Sequence, residues 1–272
     1  MDPVIVTFGS LSIRWYGLMA ALGFITAIAI MQINRKYAKL TSDQISNICI
    51  IGMLSGVIGA RIFYVLLKWN DYYKNHPADI IRIDQGGLVF YGGFILAVIA
   101  LGYYIRKIAR ADVIRVLDVV APALASAHAL GRVGCFFNGC CFGKPCDQAW
   151  AVVYKLGTEP YRKYGSTPLH PVQLYETLLN IILAVILFVL VRKGKRGCAM
   201  ALYILAYGIL RFVDEFFRGD HPTKELIFNC LTPAQAIGCI MIPVGIGLLV
   251  YFCFFQKNKD SENDSKTVDS KA

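Results

Sequence analysis

The sequence predicts an all-α, polytopic membrane protein of about seven transmembrane helices, with the N-terminus outside and the C-terminus cytoplasmic. Three observations carry this. Of 272 residues, 56% are apolar and only 17% charged, against roughly 25% charged in ordinary soluble domains. The apolar residues fall in long blocks. The cations are spread unevenly over the polar stretches between those blocks.

The blocks lie near 15–33, 46–67, 88–105, 114–134, 172–191, 198–217 and 233–255. Each can cover the roughly 20 residues that cross a bilayer. Each must then be helical, because lipid offers no partner to a backbone N–H or C=O. The opening "MDPVIVTFGSLSIRWYG" lacks a basic leader pattern, so the first block reads as a span and not as a cleavable signal. "STPLHPVQLYE" reads as a helix entry, with Pro168 and Pro171 before the fifth block. "NCLTPAQ" opens the last, with Thr232 as N-cap and Pro233 in the first helical position.

Lysine and arginine set the orientation. One set of short segments holds Arg35, Lys36 and Lys39, then Arg106, Lys107, Arg110 and Arg115, then Arg192, Lys193, Lys195 and Arg196, then four tail lysines. These fifteen face only nine in the opposite, longer loops, so the denser set is assigned to the cytoplasm. The outer loops then lie near 68–87, 135–171 and 218–231. Residues 1–255 form one membrane domain. The tail 256–272, "QKNKDSENDSKTVDSKA", is polar and without aromatics, and is expected to be disordered. The net charge of +10 follows from this bias and from anionic membrane lipid, so no nucleic-acid partner is required.

Four arginines fall inside or at the edge of apolar blocks: Arg14, Arg61, Arg132 and Arg211. Ionised groups there cost several kcal/mol and usually face a bundle interior or a wet cavity. Arg14 can snorkel to the interface, and Arg61 suits an ion pair. Arg211 can pair with Glu215 one turn on. Two guanidiniums near headgroup level also suit a phospholipid phosphate, which a planar fork grips with two hydrogen bonds. His128 and Arg132 are four apart and share a helix face. Histidine is suited to proton transfer near neutral pH, although a lone intramembrane histidine more often packs and hydrogen-bonds. Glycines at 131, 134, 139 and 143 permit close backbone approach. Cys135, Cys140, Cys141 and Cys146 follow, with spacings that fit a CxxC zinc knuckle poorly. They read as structural, paired or free. No metal and no organic cofactor is expected.

At these residues the chain resembles the bacterial prolipoprotein diacylglyceryl transferase family. "IRWYGLMAALGF", "GARIFYVL", "GGLVFYGGF", "GRVGCFFNGCCFG", "HPVQLYE", "YGILRFVDEFFRGD" and "LTPAQ" match its segments in order, over most of the chain. The resemblance implies an enzyme of the bacterial cytoplasmic (inner) membrane. It would move the diacylglyceryl group of phosphatidylglycerol to the lipobox cysteine of a prolipoprotein signal peptide, forming a thioether and releasing glycerol 1-phosphate. It places catalytic roles on Arg132, Arg211 and Tyr16. It places substrate contacts on Arg132, Asn138, Gly143, Tyr207 and Glu215, and Arg61 and Tyr91 are added to that set. Two departures stand out. Tyr91 occupies the position of the family's usual histidine, and a phenol is a poor base at neutral pH. Cys135 and Cys140 replace the asparagine and the acidic residue of the family signature. His128 is therefore expected to supply the missing imidazole as a catalytic base. The alternatives are a paralogous lipid transferase with another acceptor, and an anion transporter, against which the absence of an internal repeat counts.

Overall fold

The computed structural model describes residues 3–8, 11–82, 86–220 and 231–255. The expected disordered tail, and most of the third outer loop, lie outside the described residues. The chain divides into two compact units, one of residues 1–34 and 117–272, the other of residues 35–116.

In the first unit, strands β1 (Val4–Phe8) and β2 (Leu11–Arg14) form an antiparallel hairpin. This adds a small β element to the all-α expectation. The β-branched run Val4–Thr7 suits a pleated strand better than a helix. Helix α1 (Trp15–Asn34) follows, and α4 (Val113–Asn138) crosses from one unit into the other along the chain. A short α5 (Glu159–Tyr164) lies in the long loop. Helices α6 (Val172–Arg192), α7 (Cys198–Asp214) and α8 (Pro233–Val250) complete the unit. The start of α8 is as the sequence predicts. Thr232 Oγ1 accepts from Gln235 N at 3.2 Å, the Gln235 side chain accepts from Thr232 N at 3.1 Å, and Pro233 begins the helix. In the second unit, α2 (Ser42–Leu67) packs on α3 (Phe90–Tyr103). A methyl group on Gly59 would sit 2.5 Å from the Gly92 carbonyl, so these helices meet backbone to backbone.

Among the described residues, six helices are long and apolar enough to cross a membrane: those beginning at Trp15, Ser42, Phe90, Val113, Val172 and Pro233. The seventh block is realised as α7, a 17-residue helix carrying Arg211 and Asp214. Helix α6 shows how such a helix is built. Glu176, Asn180, Leu183, Leu187 and Val191 are buried along one stripe, while Leu178, Ile182, Val185 and Val189 stand outward and exposed. In water that apolar outer face would be costly; in lipid it is at home. At the start of α7, Gly197 offers no capping side chain. The fully buried Asp118 of α4 replaces it, accepting from Gly197 N at 2.6 Å and Met200 N at 3.0 Å.

The loop 139–171 has its own core of Phe142, Tyr154 and Leu169. Backbone bonds from Gly143 N to His170 O, Lys144 N to Phe217 O and Gly219 N to Phe142 O stitch three segments together beside the ends of α4, α6 and α7.

Candidate active site

The loop is aimed by the end of α4. Gly139 takes φ 71°, the left-handed conformation that glycine adopts without steric cost. Gly139 N bonds Phe136 O and Cys140 N bonds Cys135 O, both at 3.2 Å. This is the Schellman closure of a helix. It folds Cys140 back over Cys135, and Cys141 at φ 60° turns the chain again. Gln173, fully buried on α6, donates to Cys140 O at 2.8 Å and fixes the turn. Burial pushes the neighbouring Tyr154 phenol up to about 12, so it stays protonated as a hydrogen-bond partner of Gln173.

Below this turn lies a buried ionic cluster. Glu176 of α6 is its centre. Arg132 Nε stands 2.9 Å from Glu176 Oε2, and Arg211 Nη1 of α7 lies 4.0 Å from Oε1. Arg211 is also 3.6 Å from Asp214 Oδ2 and 3.7 Å from Glu215 Oε2, so the expected Arg211–Glu215 pair is present. Arg211 Nη1 and Glu176 Oε1 make no hydrogen bond among the described residues. Arg132, Arg211 and His128 thus converge as the sequence suggests. Tyr207 joins them, its ring 5.3 Å from that of His128 and stacked on Tyr203.

His128 joins the cluster at the same place. The single N–H of Arg132 Nε lies 2.9 Å from Glu176 Oε2 and 3.1 Å from His128 Nε2, and Glu176 Oε2 is 3.6 Å from that imidazole nitrogen.

Tyr16, at the start of α1, packs against Gly134, whose added Cβ would lie 3.4 Å from its ring. It acts electrostatically on Cys135, Cys140, Cys141 and Arg132. Asn138 hydrogen-bonds Cys140. Gly143, expected at the substrate, is a backbone crossing, where a Cβ would meet His170 O at 2.5 Å. In the second unit, Arg61 donates to Ile80 O at 2.7 Å, Asp79 O at 2.7 Å, Gly86 O at 2.9 Å and Gly87 O at 3.1 Å. Four of its five N–H donors go to backbone, with Tyr64 and Tyr73 beside the guanidinium, instead of to the expected ion pair. Tyr91 is 60% exposed and meets Phe90 edge to face.

Three members of the site escape the sequence reading: Glu176, Asp214 and Gln173. The signal was present, since Glu176 is an ionisable residue inside an apolar block. The spacing of the cysteines fits a CxxC hairpin poorly; the helix closure here brings the Sγ atoms of Cys135, Cys140 and Cys141 all within 4.8 Å of one another. None of these three is in a disulfide; the bridge in the structure joins Cys198 to Cys253.

Residues 3–251 match the family model described as prolipoprotein diacylglyceryl transferase. Similar curated proteins include the phosphatidylglycerol–prolipoprotein diacylglyceryl transferases of Pseudoalteromonas translucida and Pasteurella multocida. Each is 35% identical to this chain; coverage is 92% of both chains for the first, and 92% and 91% for the second. The Clostridium tetani protein of the same name is 33% identical, over 90% of this chain and 96% of its own.

Proposed function

The chain belongs to the prolipoprotein diacylglyceryl transferase family, and from that premise we propose that it moves the diacylglyceryl group of phosphatidylglycerol to the lipobox cysteine of prolipoproteins. The reaction takes place in the bacterial cytoplasmic membrane. The acceptor sulfur attacks the glyceryl carbon that bears the phosphate ester. A C–S bond forms, the C–O bond breaks, and glycerol 1-phosphate leaves with the electron pair.

The observation that carries this reading is the cluster around Glu176. Two arginines on different helices are fixed at one carboxylate inside an apolar bundle, with Arg211 Nη1 still free of hydrogen bonds. A phosphate that gains charge as its ester bond breaks needs such preorganised donors, which act strongly where water is excluded. Arg132 and Arg211 bind and stabilise the phosphate. Glu176 holds both arginines in place, with Asp214 and Glu215 completing the frame of Arg211. His128 positions Arg132, and Tyr207 packs on His128. Tyr16 and Asn138 border the thiol-lined turn. Gly143 lets the loop close over the site. Arg61 shapes the second unit's loop, and Tyr91 contacts lipid. The cation bias orients the chain with its N-terminus outside and its tail in the cytoplasm.

The test uses purified protein, phosphatidylglycerol labelled in its acyl chains, and a lipobox peptide. Transfer of label to the peptide with equimolar release of glycerol phosphate supports the reading. Equal labelling of a peptide with serine in place of the cysteine, or no transfer by folded protein, overturns it. A reporter active only outside the cytoplasm should work when fused after Lys155 and fail after Lys195; the reverse pattern inverts the orientation.

A further inference from the structure

We infer that Cys135, Cys140 and Cys141 form a three-thiolate site for one thiophilic divalent ion, zinc(II) by chemistry, with a fourth coordination position open to the acceptor thiol. The role of the fourth position rests on the transferase reading; the ion site itself does not.

The geometry is close to closed. The three Sγ atoms lie within 4.8 Å of one another. Tetrahedral zinc with sulfur at about 2.3 Å sets its sulfurs roughly 3.8 Å apart, so small side-chain rotations complete the site. The backbone is already committed to it. The helix closure brings Cys140 back over Cys135, and Gln173 pins the Cys140 carbonyl; the Cys140 thiol donates to Cys135 O at 3.7 Å, a weak bond that ligation of an ion would replace. Thiolate is a soft donor that selects zinc or copper(I) over calcium, magnesium or manganese.

The charges balance. Three thiolates and a dication leave one negative charge, and the guanidinium of Arg132 interacts with Cys135 and Cys141, that of Arg218 with Cys141. Arg132 lies one turn before Cys135 on the same face of α4. A disulfide would use two of the three sulfurs and leave the third idle; an ion uses all three.

Three protein ligands, and not four, characterise zinc sites that handle a substrate. Among the described residues no fourth His, Cys, Asp or Glu joins the group. Cys146, the next candidate, is turned away, its sulfur accepting from Gln148 N at 3.4 Å. A thiol that enters the open position is deprotonated by the ion, its proton passing to solvent. That gives a thiolate without calling on a side-chain base, in a chain whose Tyr91 offers no imidazole. The bound sulfur then attacks the glyceryl carbon, the C–O electron pair leaves with the phosphate oxygen held by Arg132 and Arg211, and the ion keeps its charge throughout.

The test is cobalt(II) titration of the full-length, reduced, detergent-purified protein. The expected result is one equivalent of cobalt per chain with a near-ultraviolet thiolate-to-cobalt charge-transfer band, bleached by one equivalent of zinc(II). A lipobox-type peptide shifts the band, and its serine counterpart does not. Cys135→Ser, Cys140→Ser and Cys141→Ser each lose the band, while Cys239→Ser, an exposed thiol elsewhere, keeps it. The wild-type titration decides even if a variant fails to fold. No saturable band on protein whose thiols are all free, or a band that survives all three serine variants, overturns the site. A band indifferent to the peptide overturns the open position. Transfer activity with no band removes this inference alone, and a band without transfer removes the transferase reading and the role of the open position while leaving the ion site.

Discussion

Two regions of the molecule bury arginine among apolar helices, and they treat it differently. Arg61 is 8% exposed and donates four hydrogen bonds, all to backbone carbonyls of its own loop. No carboxylate is needed, because carbonyl dipoles and two tyrosine rings absorb the charge. Around Glu176 the opposite holds. Arg132 and Arg211 face carboxylates, and Arg211 keeps a nitrogen with no hydrogen bond. A buried donor left unmade costs about 1–3 kcal/mol. Arg61 itself is committed to its own loop. The Glu176 region leaves Arg211 Nη1 without a hydrogen bond among the described residues, the place the proposed phosphate would take. Saturation, more than burial, separates the arginine that builds the fold from the arginines that serve chemistry.

The comparison breaks most sharply at the arginines. Arg132→Lys and Arg211→Lys each keep the charge but lose the planar fork, and each should lower transfer to the lipobox peptide by roughly 10²–10³-fold, the size of removing one preorganised donor. Near-normal turnover in both variants would remove the phosphate role. Next is Glu176→Gln. It keeps the shape and discards the charge that orients both arginines, so transfer should fall about 10²-fold, with the lipid KM rising. If KM is unchanged and only thermal stability falls, Glu176 belongs with Arg61. Arg61→Met should do the reverse of these three. Unfolding stability should drop by about 2–4 kcal/mol as its carbonyls lose their donor, while turnover per folded molecule stays near that of the parent.

The smallest effect separates two roles of His128. A glutamine carbonyl can accept from Arg132 Nε where His128 Nε2 now does. His128→Gln should therefore retain activity within about tenfold of the parent, and His128→Ala should lose clearly more. A general base would contribute roughly 10²–10⁴-fold and would be lost equally in both variants. Equal, severe losses would restore the catalytic reading of the imidazole.

Much of this was legible in the sequence because it is written locally. Block length and hydropathy give the spans. Thr232 and Pro233 give the start of α8, since a helix cap depends on residues three apart. The ordered motifs give the family, and the cost of an ion in lipid marks Arg132 and Arg211. Tertiary structure decided what depends on groups distant along the chain. Glu176 became the junction only when α6 packed between Arg132 and Arg211. Arg61 looked like them in the sequence, and only the folded loop of carbonyls showed its charge already answered. His128 was placed beside Arg132 by the helix repeat, and only the packing of α6 brought Glu176 to both of them. The thiol spacing argued against a metal until a left-handed glycine at the end of α4 turned three cysteines toward one point. Residue type and spacing fix which groups are expensive to bury; only the packed chain fixes which of them find partners, because those partners come from other helices.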